Sequence, residues 1–130
     1  MVLPNFVQSA LLGKPISVYG DGSQSRSFTH VNDVVGAITK LMDEPSAEGE
    51  IFNVGNNKEV TINELALKVK EMTESDSEIE HIPYEKAYGP GFEDMQRRCP
   101  SIKKINKRIG FKPSYDLGAM IQSVIDYFKA

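Results

Sequence analysis

The sequence predicts an α/β fold on three observations. Amphipathic runs of helical period alternate with short β-prone runs, the composition is that of a globular chain, and no repeat or low-complexity tract interrupts the alternation. The 130 residues fit a single region, 1–130, and a chain of that size buries roughly two-thirds of the surface it exposes when unfolded. With 40% hydrophobic and 25% charged residues, disordered, collagen-like and disulfide-scaffold classes are set aside.

Pro4 suits a first helical turn, Phe6, Val7, Ala10 and Leu11 follow at helical spacing, and Gly13 with Pro15 supplies a stop, so a helix is expected over about residues 4–13. Ile16 to Tyr19 alternates as a strand does. Gly20-Asp21-Gly22-Ser23 is turn chemistry, and Arg26 to Thr29 is expected to return as a second, hairpin-like strand. Asn32 or Asp33 is placed to cap a helix whose residues Val34, Val35, Ala37, Ile38, Leu41 and Met42 form one broad apolar stripe ahead of Pro45. Ile51-Phe52-Asn53-Val54, flanked by Gly49 and Gly55, reads as a strand buried on both faces of a parallel sheet, which requires neighbouring strands.

Thr61 with Glu64 three residues later is a capping box, and Ile62, Leu65, Ala66, Val69 and Met72 fill the inner face of the helix it opens. A strand is expected around Ile79 to Ile82. No period holds from Pro83 to Pro100, a stretch longer than an ordinary connection. Ser101 is expected to cap a helix with Ile102, Ile105 and Ile109 inward and Lys103, Lys104, Lys107 and Arg108 on a solvated face, closed by Gly110 and Pro113. Asp116 caps the last helix, where Leu117, Met120, Ile121, Val124, Ile125 and Phe128 give the strongest periodic signal in the chain.

A formal charge of −3 provides no basic field, so nucleic acid is not expected as a partner. The single cysteine, Cys99, excludes an intrachain disulfide and a cysteine-based zinc cluster, and it precedes a proline without a catalytic signature. His30 and His81 lack metal-ligand spacing, and no metal is assigned. No apolar run approaches the roughly 18 residues of a membrane span, and the N-terminus lacks a leader pattern, so a cytoplasmic protein is expected with no membrane partner.

Three clusters set polar groups beside glycines: the loop from Val18 to Phe28, the run Phe52-Asn53-Val54-Gly55-Asn56, and the segment Tyr88 to Arg98. Glycine lets a ligand approach the backbone, and an arginine grips phosphate through paired hydrogen bonds. The adjacent carboxylates Glu93 and Asp94 point apart in helix or strand, so the two are not aimed at one substrate and at most one is read as structural support.

In sequence order, an aliphatic-Pro-Asn-Phe helix, then Lys14-Pro-Ile-x-Val-Tyr-Gly-Asp-Gly-x-Gln-x-Arg-x-Phe-x-His-Val-x-Asp-Val, then Phe52-Asn-Val-Gly-Asn, resembles the C-terminal portion of NAD-dependent epimerases and dehydratases of the extended short-chain dehydrogenase type. The block from Tyr88 through Arg98 to Ile102 is similar to the UDP-glucuronate decarboxylase branch. The resemblance implies a substrate-binding region with a remnant of a Rossmann sheet edge and an incomplete dinucleotide-binding domain. It implies a UDP-sugar or related NDP-sugar ligand, Arg26 on its diphosphate, Tyr19 near the base, Gln24 in the same loop, and Arg98 near diphosphate and sugar in a binding or catalytic role. Phe92 stands where some of those relatives carry tyrosine.

Enzymes of that family hold NAD on a Gly-x-x-Gly-x-x-Gly turn and use a Tyr-x-x-x-Lys pair, and neither motif occurs in these 130 residues. The resemblance therefore implies a fragment truncated at its N-terminus, inactive alone, without tight NAD binding, and self-associating through an unpaired sheet edge. The competing reading is a stand-alone module that binds a nucleotide sugar or a protein without chemistry. The nucleotide-binding reading requires Arg26 and Arg98 to face one cleft, and a generic α/β domain would leave them apart.

Overall fold

The computed structural model describes all 130 residues. Helix α1 (Val2–Leu11) precedes strand β1 (Ile16–Tyr19), and a glycine-bearing turn leads to β2 (Ser25–Ser27) and helix α2 (Val31–Met42). Strand β3 (Glu59–Thr61) runs directly into α3 (Ile62–Met72), followed by β4 (Ile79–Ile82), the short helix α4 (Tyr84–Tyr88) and β5 (Arg97–Arg98). Helices α5 (Lys103–Ile109) and α6 (Leu117–Lys129) complete the chain. No helix is long and apolar enough to cross a membrane.

The larger core is built by four elements whose periodicity selects their inner faces. Leu3, Phe6, Val7 and Ala10 of α1 meet Ile16 and Val18 of β1, Ile62, Leu65, Ala66 and Val69 of α3, and Met120, Ile121 and Ile125 of α6. A smaller cluster of Ala37, Ile105 and Phe111 gathers Leu41, Phe52, Val54, Ile102 and Ile109. Strand β1 pairs in parallel with β4, from Ile16 opposite Ile79 to Tyr19 opposite Ile82. Strand β2 lies between antiparallel β3 and parallel β5.

The capping box forms as the sequence implies. Thr61 Oγ1 accepts from the Glu64 backbone N–H at 3.1 Å, and the Glu64 carboxylate accepts from the Thr61 backbone N–H at 2.8 Å. The Thr61 backbone N–H, then its hydroxyl, hold the Glu64 carboxyl below its ordinary pKa. A carboxyl depressed on folding adds stability above its unfolded pKa and loses it as pH falls through its folded pKa. Thr61→Ala is therefore expected to cost about 1 kcal/mol at neutral pH, and urea unfolding should show the gap from wild type narrowing without closing below the usual glutamate range, because the lost bond from the Glu64 N–H does not depend on the carboxylate charge.

Several sequence expectations are corrected. Strands β1 and β2 are not a hairpin: the Gln24 amide donates to the Tyr19 carbonyl at 2.9 Å, β4 takes the ladder bonds of β1, and β2 finds other neighbours. Residues 51–54 form no strand, because no adjacent segment offers the ladder a strand requires, and Ile51 is 85% exposed. Neither Asn32 nor Asp33 caps α2; the His30 ring accepts from the Asn32 N–H at 3.1 Å, and Asp33 is buried against another loop. Ser101 is not a cap either, since α5 opens after Ile102 without a side-chain cap.

Two faces also divide differently from the sequence reading. The broad α2 stripe buries Ala37 and half-buries Val34 and Leu41, while Val31, Val35, Ile38 and Met42 are exposed along its adjoining flank. The basic face of α5 is partly engaged: Lys104 pairs with Glu50 at 2.5 Å, Arg108 donates to the Ser46 carbonyl, and both lie over the Phe52 ring.

Candidate functional site

A cleft of about 1060 Å³ opens between α1, the β1–β2 turn, the start of α2, the segment from Tyr84 to Arg98, and α6. The turn at its rim depends on backbone geometry that excludes a side chain. Gly20 and Gly22 have φ of +72° and +73°, and a Cβ would run into the Tyr84 ring at Gly20 and into the Asn63 side chain at Gly22. The Asp21 carboxylate accepts from the Ser23 N–H at 2.9 Å and the Ser23 hydroxyl at 2.7 Å, which fixes the turn and holds the Asp21 carboxyl below its ordinary pKa. Asn63 of α3 donates to the Asp21 carbonyl at 2.8 Å.

All four residues singled out from the sequence line this cleft: Tyr19, Gln24, Arg26 and Arg98. Arg26 on β2 stands opposite Arg98 on β5. Because strand side chains alternate between faces, these two arginines share one side of the sheet, with Val60 of β3. Ser25, Ser27, Glu59 and Arg97 occupy the other side, where the Arg97 guanidinium grips Glu59 through bonds of 2.6 to 3.0 Å. Arg97, first among the causes, and the Ser25 hydroxyl hold the Glu59 carboxyl below its ordinary value. Thus two adjacent arginines of the sequence have separate tasks. Arg97 ties β5 to β3, and Arg98 is exposed on the cleft side without an ion pair.

Gln24 is buried and spends its amide nitrogen on the Tyr19 carbonyl, which makes it a brace for the loop. Arg26 donates from Nη1 to the Ser25 carbonyl at 2.7 Å and from Nη2 to Asp94 at 2.5 Å. Tyr84 also donates to Asp94, at 3.3 Å; burial first, then the Asp94 charge, raises the phenol above its ordinary pKa and keeps it a donor. Tyr88 stacks on Phe92 with centroids 4.3 Å apart, and Tyr19 meets the edge of Tyr88 at 5.5 Å. Asp94, Tyr84 and Tyr88 were not assigned site roles in the sequence; the signals available were the break in periodicity from Pro83 to Pro100 and the family-like block from Tyr88 to Arg98.

The arrangement is a basic groove beside aromatic faces, closed below by apolar packing. The sequence profile of the GDP-mannose 4,6 dehydratase family matches residues 1–124. The chain belongs to the NAD-dependent epimerase/dehydratase family of extended short-chain dehydrogenases. Among similar members is the UDP-N-acetyl-alpha-D-glucosaminuronate decarboxylase of Bacillus cytotoxicus, 39% identical over 98% of this chain and 40% of that protein. The UDP-glucose 4-epimerase of Thermotoga maritima, solved with UDP-glucose, superposes with a TM-score of 0.88 at 27% identity, over 99% of this chain and 39% of that one. An epimerase of Methanothermobacter thermautotrophicus gives 0.89 at 26% identity, over 99% and 37%. The chain therefore spans about two-fifths of the length of these family members and corresponds to their C-terminal portion.

The Gly20–Gly22 turn does not fit the NAD of the family. A dinucleotide cradle takes a strand, a glycine-rich turn and then a helix whose N-terminus meets the pyrophosphate. The Gly20–Gly22 turn instead leads from β1 into strand β2.

Proposed function

We propose that the cleft binds the diphosphate of a nucleotide sugar, UDP-sugar foremost, and that the 130 residues are the substrate-binding part of an NAD-dependent epimerase, dehydratase or decarboxylase, inactive alone. The observation that carries this reading is Arg26 opposite Arg98 on the cleft side of β2 and β5. Guanidinium groups match phosphate oxygens with paired donors, and such charge-assisted bonds are about twice as strong as neutral ones. The aromatic faces of Tyr19 and Tyr88 beside the arginines suit a base or ribose. The UDP-sugar names of the similar enzymes favour uridine diphosphate as the nucleotide. Arg98, which has no ion partner, is the group we assign nearest the sugar. Calorimetry of the chain with UDP tests the reading, and absence of heat at millimolar nucleotide would sink it.

The chain alone is proposed to self-associate. The exposed residues Val31, Val35, Ile38 and Met42 recur at helical spacing along α2, and the nearby extended segment 51–54 leaves Ile51 in solvent. An exposed apolar stripe of this kind invites a second copy. Sedimentation at micromolar concentration should show dimers or larger species, and Ile38→Glu should shift them towards monomer; a strictly monomeric wild type refutes the proposal.

A further inference from the structure

We propose that Asp94 is an internal counter-anion for Arg26, one that an incoming phosphate must displace, so that it sets the charge a ligand needs to occupy the cleft. The inference rests on the nucleotide reading above and adds the control of that same site.

Arg26 is nearly withdrawn from solvent, with 11% of its side chain exposed. One terminal nitrogen is committed to the Ser25 carbonyl and the other to Asp94. Asp94 does not come from the β2 framework. It belongs to the connection between α4 and β5, which is laid against the cleft and held at several points along its length. Tyr84 donates to Asp94 itself, Phe92 stacks on Tyr88, the Gln96 amide donates to the Ser23 hydroxyl at 2.8 Å, and the Gln96 carbonyl accepts from the Ser25 N–H at 2.9 Å. The neighbouring carboxylate, Glu93, makes no such contact and is exposed.

The chemistry of competition follows from what each anion can reach. The Asp94 carboxylate carries one charge and contacts Arg26, while Arg98 across the strand pair has no carboxylate partner. A diphosphate brings about two charges and can span both guanidinium groups, so it regains more than it displaces. An uncharged nucleoside gains nothing at Arg26 and leaves the Asp94 pair in place. Asp94 thereby discriminates by charge.

The test compares wild type and Asp94→Asn by calorimetry with UDP and with uridine, and by amide hydrogen exchange of residues 84–98 without ligand. The substituted amide keeps the shape of the carboxylate and removes its charge. The proposal expects Asp94→Asn to bind UDP about fivefold more tightly, the factor a partly exposed ion pair supplies, with uridine affinity unchanged and exchange in 84–98 faster. If UDP binds wild type but the variant binds it equally or more weakly, Asp94 orients Arg26 for the ligand and the proposal is overturned. Unchanged exchange in 84–98 overturns it as well. If neither protein binds UDP, the nucleotide reading itself fails, and this proposal with it.

Discussion

Arg26→Ala is expected to weaken UDP binding by one to two orders of magnitude, roughly the effect of losing charge-assisted hydrogen bonds from a largely desolvated guanidinium. Arg97→Ala, one residue before the other cleft arginine, is expected to leave UDP affinity nearly unchanged. The contrast follows from strand geometry. Arg26 sits at the centre of the three-stranded sheet with its side chain in the cleft wall, and the period of two places Arg97 on the reverse side against Glu59. Arg98→Ala should fall between, since Arg98 faces the cleft but is exposed and weakly desolvated. Calorimetry with UDP checks all three, and thermal unfolding followed by circular dichroism separates lost binding from lost structure. Equal weakening by Arg97→Ala and Arg26→Ala would refute the assignment of UDP binding to the Arg26 face of the sheet.

The contrast also marks how far the sequence alone could be read. Local chemistry was legible: Thr61 and Glu64 make their box, Asp116 caps α6 through the Ala119 N–H at 2.8 Å, and the spacing from Leu117 to Ile125 selects the buried face. Each of those depends on residues within a turn or two of one another. Arg97 and Arg98 could not be told apart, because the phase of β5 is fixed by pairing with Arg26, some seventy residues earlier in the chain. Residues 51–54 show the converse. Phe52 and Val54 have strand-like character and reach the smaller core, yet strand structure is a property of a pair, and no partner is at hand. The site residues Tyr19, Gln24, Arg26 and Arg98 entered through family resemblance. Asp94 did not, since its role depends on a fold-back that no periodicity announces.

Asp33→Ala is expected to destabilise the chain by about 2–4 kcal/mol, the effect of leaving two backbone donors without the acceptor they share. Asp33 looked like a cap from its place near the start of a helix. Its carboxylate turns away from α2 and accepts from the Ser114 N–H at 3.0 and 3.1 Å and the Tyr115 N–H at 3.3 Å. Around it the Asn32 amide donates to the Tyr115 hydroxyl at 3.1 Å, and the His30 ring stacks on Tyr115 with centroids 3.8 Å apart. Three residues at the head of α2 thus clamp the loop that delivers α6. Alanine would leave two N–H groups facing a carboxylate-sized gap, whereas Asp33→Asn keeps one acceptor oxygen and should lose about half as much. Urea unfolding at constant slope measures both. The effect should also extend to binding, because His30 and Val31 on one side of the clamp, and Ser123 and Val124 on the other, form a wall of the cleft. A loosened clamp lets that wall move relative to Arg26, so Asp33→Ala should weaken UDP binding several-fold less than Arg26→Ala while costing more stability. If Asp33→Ala unfolds within about 0.5 kcal/mol of wild type, the spread of ordinary surface substitutions, water satisfies the loop and the clamp does not hold α6 in place.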